Sequence, residues 1–341
     1  MDVRLSPEQQ ALRDSAAQVV DRLGPKAVGQ LGDEERRAKL DAAVAASGWR
    51  ELRVGAEHGT PLASGVEVAI VAEELARGLA DVSFLGPTLA AELRRLAGAP
   101  PGDQVETVVL GADLSLYVHT ADVVPGATVA IDAAGCDRAL LVVPEGLAQV
   151  ALPATSGGID LTRPSVTLDH LPAAAPLVVG RPLAANDLGR WTALGLALTC
   201  ADLVGAMGGA VVLACTYAKE RRQYGTAIGS FQAVQHLLAD AFAVTEGARS
   251  LVRHAAWAVD ALPVADAVAA AAAAKAYCAR AARDVCETAI QVHGGVGNTW
   301  ECLAHVYLRR VLLSTDVCGN ASVNLARVLH HHGIGSDDGF R

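Results

Sequence analysis

Hydrophobic and polar positions change their spacing twice along the chain. From the start to about residue 100, apolar residues such as Leu12, Ala16 and Leu23 recur at helical spacing, which predicts amphipathic helices. The segment Ser6–Gln9 offers a capping serine, a proline in the first turn and a glutamine three residues after the cap. We therefore predict an N-terminal helical domain over residues 1–100. After the first helix, its further helices are expected at 34–47, 64–78 and 87–96.

Residues 101–183 show a different pattern, in which short apolar or alternating runs are separated by Gly, Pro and Asp. Such runs are typical of short strands joined by turns. The zone is long enough only for a compact barrel or sandwich, so we predict a reduced, antiparallel middle β-domain. The expected strands are 106–110, 114–119, 127–131, 139–143, 148–152 and 165–168.

Long helical patterns return over residues 184–333, which predicts a C-terminal helical bundle. The alanine-rich run Ala265–Ala274 belongs to it, because alanine is the strongest helix former. Residues 334–341 are expected to form a flexible tail. The fold class is therefore mainly α with a small β-domain. The expected bundle helices are 191–220, 230–261, 264–293 and 301–313.

Composition restricts the classes of function. The net charge is −9, which is the wrong sign for a nucleic-acid-binding surface. The most apolar run, Leu203–Ala218, is short and bounded by charged residues, so we interpret it as a buried helix rather than a membrane span. Seven cysteines are scattered without metal-ligand spacing, and the polar N-terminus has no apolar signal core, which predicts reduced thiols in the cytoplasm. We interpret His330–His332 as a solvated cluster, so no metal is expected.

Two segments of the third zone have the residues needed to hold a pyrophosphate. Glu220–Gly225 places Arg221 at a helix end beside a glycine turn, and Ile228–His236 follows it closely. Gln291–Glu301 contains a glycine-rich turn that allows close backbone approach to a ligand. On their own these features stay ambiguous, because a helix-ending turn and a solvated arginine would look the same.

Both segments resemble signatures of the acyl-CoA dehydrogenase family, and Val71–Arg77 is similar to that family's N-terminal helical segment. The order of the three zones also matches the family fold: N-terminal helices, a middle β-domain and a C-terminal four-helix bundle. The resemblance implies α,β-dehydrogenation of an acyl-CoA substrate. In that reaction a carboxylate removes the α-proton while the β-carbon passes a hydride to FAD.

The resemblance also implies cofactor-binding positions, which in this family reach across a dimer interface. Arg221 lies where the family contacts the FAD pyrophosphate. The other matching positions are Gln223, Tyr224 and Gln232, beside the cofactor of a neighbouring subunit, and Gln291, Gly294 and Gly295, at the outer part of FAD.

The family's catalytic glutamate is missing from both places where the family carries it. Cys318 occupies the place after the glycine-rich segment, and Gly195 occupies the place on the first bundle helix. Asp316, two residues from Cys318, and Asp202, inside an apolar helix, stay open as displaced bases. A purely structural role is the competing interpretation, with Cys318 as a small buried thiol and Asp202 as a capped or salt-bridged acid.

The family's flavin-holding segments are also missing from the middle zone, which contains no tryptophan. We therefore expect FAD to be shared with a second acyl-CoA dehydrogenase subunit in an α2β2 assembly. That arrangement resembles the shorter subunit of actinobacterial enzymes acting on steroid side-chain thioesters. Electrons would pass to an electron-transfer flavoprotein or similar acceptor. Two other hypotheses remain: a self-sufficient flavoenzyme with a displaced base, and a cofactor-free scaffold or interaction protein.

Overall fold

The computed structural model describes residues 4–56, 59–120, 127–154, 157–171, 177–178 and 180–334. The expected tail falls almost wholly on residues 335–341, which lie outside the described residues. The α-helices of the described part are α1 (Pro7–Leu23), α2 (Glu34–Ala46), α3 (Gly65–Arg77), α4 (Leu85–Ala97), α5 (Ala185–Glu220), α6 (Gln232–Ala261), α7 (Val264–His293), α8 (Ala304–Ser314) and α9 (Ala321–His331).

The predicted N-terminal cap is confirmed. The Ser6 hydroxyl accepts the Gln9 N–H at 3.2 Å, and the Gln9 side-chain oxygen accepts the Ser6 N–H at 3.0 Å. This reciprocal pair satisfies two donors that would otherwise be orphaned at the start of α1.

Several helix boundaries differ from the predicted ones. The first bundle helix, α5, begins at Ala185 rather than at residue 191, and α8 begins at Ala304 rather than at 301. Helix α9 was not predicted. Its cap is Asn320, whose side-chain oxygen accepts the N–H groups of Ser322 and Val323. Asn320 was the available sequence signal, since asparagine is among the best N-caps.

The β-domain is one mixed sheet, with strand order β5-β2-β1-β3-β4-β6. The predicted antiparallel pairing holds for every pair except β1 and β3, which run parallel. The expected strand at 114–119 is wrong: only isolated bridges form there, at Leu116 and Val118. The strands are β1 (Thr107–Gly111), β2 (Thr128–Ala130), β3 (Arg138–Val143), β4 (Gly146–Ala151), β5 (Val166–Leu168) and β6 (Leu177–Val178).

The sheet buries both of its faces. Val108 and Leu140 point into the main helical core, whereas Val109 and Leu141 belong to a separate cluster on the other face, as the period of two along a strand requires. Because helices and sheet share the main core, the domain boundaries near residues 100 and 183 stay predictions.

Small residues let the core helices approach closely. A Cβ on Gly205 of α5 would lie 2.0 Å from the Glu73 carbonyl oxygen, and one on Gly209 would lie 2.3 Å from that of Arg77. The apolar helix α5 is long enough to cross a membrane by length and composition alone. However, 83% of its most apolar stretch is buried inside the protein, which confirms the interpretation of a buried helix.

A buried ion network joins α5 to α8 and to the segment before β5. Asp202 of α5 accepts hydrogen bonds from the Arg310 guanidinium at 2.7 and 3.0 Å and from the Ser314 hydroxyl at 2.7 Å. Arg163 Nη1 lies 3.2 Å from the second carboxylate oxygen of Asp202. Burial alone would raise the pKa of Asp202, but the two guanidinium charges and these hydrogen bonds outweigh it and lower the pKa. Asp202 is therefore an ionised structural acid.

We expect Asp202→Asn to lower the free energy of unfolding by roughly 3–5 kcal/mol, because it leaves two buried arginines without their shared counter-ion. Urea unfolding followed by circular dichroism measures the change. The control is Asp240→Asn, at an exposed position of α6, which should change stability by less than about 0.5 kcal/mol. A cost below about 1 kcal/mol for Asp202→Asn would contradict the structural role.

Candidate functional site

The Arg221 segment forms a tight hairpin between α5 and α6. Arg221 ends α5, and its N–H donates to the Tyr217 carbonyl at 2.8 Å. Strand β7 (Arg222–Gln223) then pairs with β8 (Thr226–Ala227). The two turn residues have positive φ angles, 50° at Tyr224 and 80° at Gly225, which identifies a type I′ turn.

Tyr224 is strained and exposed at the tip of this hairpin. Glycine and asparagine favour the left-handed region, whereas a bulky side chain is disfavoured there by roughly 1–2 kcal/mol. Its ring is 95% exposed and meets Phe231 edge-on, with ring centroids 6.4 Å apart. A strained, exposed aromatic that packs against so little of its own chain points to a binding role.

The glycine-rich segment follows directly from the end of α7. His293 is the last residue of that helix, and Gly294, with φ 65°, begins the turn. Within the described part of the chain, a Cβ on Gly294 or Gly295 would meet no atom within 4 Å. Gly297 differs, because a Cβ there would lie 2.9 Å from the Ile290 carbonyl oxygen. Gly294 and Gly295 therefore leave their backbone open, whereas Gly297 is required by packing.

One ring stack brings the two predicted segments to the same end of the bundle. Tyr217, one turn before Arg221, stacks on His293 with ring centroids 4.5 Å apart and an angle of 26°. The residues predicted to contact a cofactor are all exposed at the surface of this chain. They are Arg221, Gln223, Tyr224, Gln232, Gln291, Gly294 and Gly295.

Gly195 and Cys318, which were singled out from separate parts of the sequence, lie against each other. A Cβ on Gly195 would lie 2.9 Å from the Cys318 sulfur and 3.7 Å from a methyl carbon of Leu89. Cys318 is buried, with a φ of 63°, and its N–H donates to the Leu114 carbonyl at 2.8 Å. The space between these two positions is therefore already filled.

Lys275 is a buried cation beside this position that the sequence analysis missed. It is fully buried, and its ammonium donates to the carbonyls of Ser314 and Val317, the latter at 2.7 Å. Burial lowers the pKa of Lys275, and the charges of nearby groups, Cys200 and Cys318 among them, act against that change. A lysine directly after an alanine run on a core helix was the available signal.

Two candidate bases, Cys318 and Asp316, lie at or near this position in the sequence, and neither is a buried, ionised group. Burial raises the pKa of the Cys318 thiol, and Lys275 reduces that shift without reversing it. Asp316 is exposed at the surface, although Cys318 two residues later is buried. The thiol therefore stays protonated, and Asp316 is not buried beside it.

The histidine cluster is exposed, as expected, and His331 lies 3.2 Å from Asp266 at the start of α7. Among the described residues, no group of three His, Cys, Asp or Glu side chains could hold a metal ion.

Comparison with known proteins identifies the class. The family model "Acyl-CoA dehydrogenase, C-terminal domain" matches residues 193–331. The chain is 33% identical to acyl-CoA dehydrogenase IpdE2 of Mycobacterium tuberculosis, over 89% of this chain and 90% of that protein. This chain therefore belongs to the acyl-CoA dehydrogenase family, as its helix–sheet–helix order and its two motifs indicated.

Two solved structures share the whole fold at low sequence identity. The ChsE4-ChsE5 complex from Mycobacterium tuberculosis gives a TM-score of 0.77 at 23% identity, covering 98% of this chain and 99% of that chain. The Tcur3481-Tcur3483 steroid ACAD gives 0.74 at 21% identity, covering 96% and 98%. These likenesses confirm the predicted fold class.

We expect Tyr224→Asn to raise the free energy of unfolding by about 0.5–1 kcal/mol, because asparagine tolerates the left-handed backbone of the turn. Thermal unfolding of the isolated chain tests this. Tyr224→Phe is the matched control, since it keeps both the ring and the strain and should leave stability unchanged. A loss of stability in Tyr224→Asn would show that the ring supports the fold rather than a binding surface.

Proposed function

We propose that this chain is a subunit of a FAD-dependent acyl-CoA dehydrogenase that carries no catalytic base and completes the FAD site of a partner subunit. One observation carries the proposal: Gly195 and Cys318 close on each other without a carboxylate, while the Arg221 and Gly294 segments stay open at the surface. The chain keeps surface residues suited to holding a cofactor, and it lacks a carboxylate that could remove the α-proton.

The closed position argues against a substrate site within this chain. The α-proton of a thioester needs a base within hydrogen-bond reach. The buried thiol of Cys318 stays protonated, and a Cβ at Gly195 already meets its sulfur at 2.9 Å. An acyl chain could not enter between them without displacing Cys318 or Leu89. We therefore infer that the partner subunit supplies both the base and the substrate cavity.

The surface residues fit the outer part of FAD. Arg221 offers a cation that suits a pyrophosphate, and the open backbone at Gly294 and Gly295 allows a ligand to approach closely. Tyr224 offers an exposed ring at the tip of the hairpin that follows Arg221. When bound, FAD accepts the hydride that leaves the substrate. The residues of this chain would hold and orient that cofactor.

The structure argues against a displaced base within this chain. A self-sufficient enzyme would need Asp202 or Asp316 as its base, but Asp202 is bound by Arg163 and Arg310 and Asp316 is exposed. A cofactor-free interaction protein with this fold could also use the strained and 95% exposed Tyr224, and flavin binding with a partner subunit distinguishes it from the proposed function.

The partners follow from the same division of roles. The two solved structures that share this fold each carry a paired name, ChsE4-ChsE5 and Tcur3481-Tcur3483, which supports a second acyl-CoA dehydrogenase subunit in an α2β2 assembly. The latter is a steroid ACAD, which supports a steroid side-chain thioester as the substrate class. An electron-transfer flavoprotein or similar acceptor and a cytoplasmic location complete the proposal.

Arg221→Ala tests the cofactor role in the chain co-expressed with a family subunit that carries the catalytic glutamate. Loss of a hydrogen bond to a charged group, worth about 1.5–3 kcal/mol, should weaken flavin binding roughly 10- to 100-fold. Flavin absorbance per assembly, measured during dilution, reports the loss. Arg222→Ala is the matched control with the same change of charge one residue away, and it should retain flavin. Equal retention in both variants would sink the assignment of Arg221.

Restoring a carboxylate should not restore the reaction in the isolated chain. Cys318→Glu places a larger side chain against Gly195, with an overpacking cost of about 1–3 kcal/mol, and Lys275 would pair with the new carboxylate. We expect no reduction of added FAD by an acyl-CoA, measured as bleaching of the visible flavin band. Cys318→Ser controls for loss of the thiol. Bleaching by Cys318→Glu alone would show that a complete substrate site exists in this chain.

A further inference from the structure

The aromatic stack of Tyr217 on His293 lies where the two surface segments begin. Tyr217 is in the last turn of α5, one turn before Arg221, and His293 is the last residue of α7, directly before Gly294. The two rings are close to parallel, with centroids 4.5 Å apart. His293 is buried and Tyr217 is half-buried, so the pair is better suited to holding the two segments than to touching a ligand.

The hairpin after Arg221 is tied to the helix turn that carries Tyr217. The Arg221 N–H donates to the Tyr217 carbonyl, and the Arg221 carbonyl accepts the Ile228 N–H, both at 2.8 Å. A Cβ on Gly229 would lie 2.9 Å from the Ala218 carbonyl oxygen, so the chain packs directly on this helix turn as it leaves the hairpin. The position of the last turn of α5 therefore sets the position of the hairpin.

The glycine-rich turn is tied to His293 in the same way. Nδ1 of His293 lies 2.7 Å from the Ala289 carbonyl oxygen, and because a carbonyl only accepts, Nδ1 carries the proton and donates. This hydrogen bond and the stack on Tyr217 fix the orientation of the imidazole. A Cβ on Gly297 would lie 3.0 Å from the His293 Cβ, so the turn that begins at Gly294 folds back onto His293.

We propose that Tyr217 and His293 are positioning residues, which hold Arg221 and the open backbone at Gly294 and Gly295 at the spacing that the outer part of FAD requires. The inference rests on the proposed function, because it concerns the same cofactor. Groups on two helices bind one ligand tightly only when their separation matches that ligand, and supporting contacts behind them maintain the separation. Aromatic pairs prefer defined geometries, so the stack resists sliding of one helix end past the other.

The first test uses the chain co-expressed with a family subunit that carries the catalytic glutamate. Tyr217→Leu removes the stacked ring and should weaken FAD binding about tenfold, which corresponds to one misplaced hydrogen bond. The complex itself should still assemble. Flavin absorbance per assembly, measured during dilution, reports the affinity. Tyr217→Phe keeps the stacked ring and should bind FAD as tightly as the wild-type chain does.

A second variant and a matched control separate positioning from the general loss of an aromatic contact. His293→Asn removes the ring but keeps a side-chain N–H for the Ala289 carbonyl, and it should weaken FAD binding as Tyr217→Leu does. Trp257→Leu removes another stacked ring, which lies on His254 with centroids 5.7 Å apart. Trp257 is 25 residues from the start of α6, or about 37 Å along the helix, so FAD affinity should stay unchanged.

Hydrogen exchange of the isolated chain tests the positioning without any flavin. Tyr217→Leu should speed amide exchange in the Gly294–Asn298 turn and in the 222–227 hairpin, because both lose the support behind them, whereas Trp257→Leu should not. Wild-type FAD affinity in Tyr217→Leu would overturn the inference, and so would unchanged exchange in both segments. Should Tyr217→Leu fail to fold, His293→Asn decides by the same two measurements. A wild-type complex without flavin would instead contradict the proposed function, and the exchange rates would still show whether the stack holds the two segments.

Discussion

The ion network around Asp202 holds together the three parts of the molecule. Its carboxylate lies on α5, its main partner Arg310 lies on α8, and Arg163 belongs to the segment that leads into β5. Arg310 also donates to the carbonyl of Ala80, between α3 and α4, at 3.0 Å. Because a buried charge without its partner is costly, these elements keep one relative arrangement. That arrangement fixes the end of α8 and the turn that carries Cys318.

The end of α8 is fixed a second time by Lys275, which binds the carbonyls of Ser314 and Val317. Lys275 thus supports the turn between α8 and α9, in which Cys318 has a left-handed conformation. The result is a well-ordered, closed position at the centre of the fold. At the far end of α5 and α7, the Tyr217–His293 stack supports an open surface instead. The chain combines a filled, buried position at Gly195 and Cys318 with an exposed surface at Arg221 and Gly294. This combination suits a subunit that completes a neighbour's site.

Much of this could be predicted from the sequence where local signals agree with the fold. The cap at Ser6, the helical spacing and the two long motifs are local features, and they gave the fold class and the approximate helices correctly. The parallel β1–β3 pair was missed because pairing depends on partners distant in sequence. The strand expected at 114–119 did not form because its alternating residues make only isolated bridges, from Leu116 to Leu110 and from Val118 to Val142. Lys275 was missed because burial and tertiary contacts create its chemistry.

We propose that this chain shares one flavin with a partner rather than holding its own. The most direct measurement is the flavin content of the chain purified alone and of the chain co-purified with a glutamate-bearing partner subunit. We expect a colourless chain alone and one FAD for each pair of unlike subunits in the complex. A yellow chain on its own, with flavin that an acyl-CoA bleaches, would contradict it.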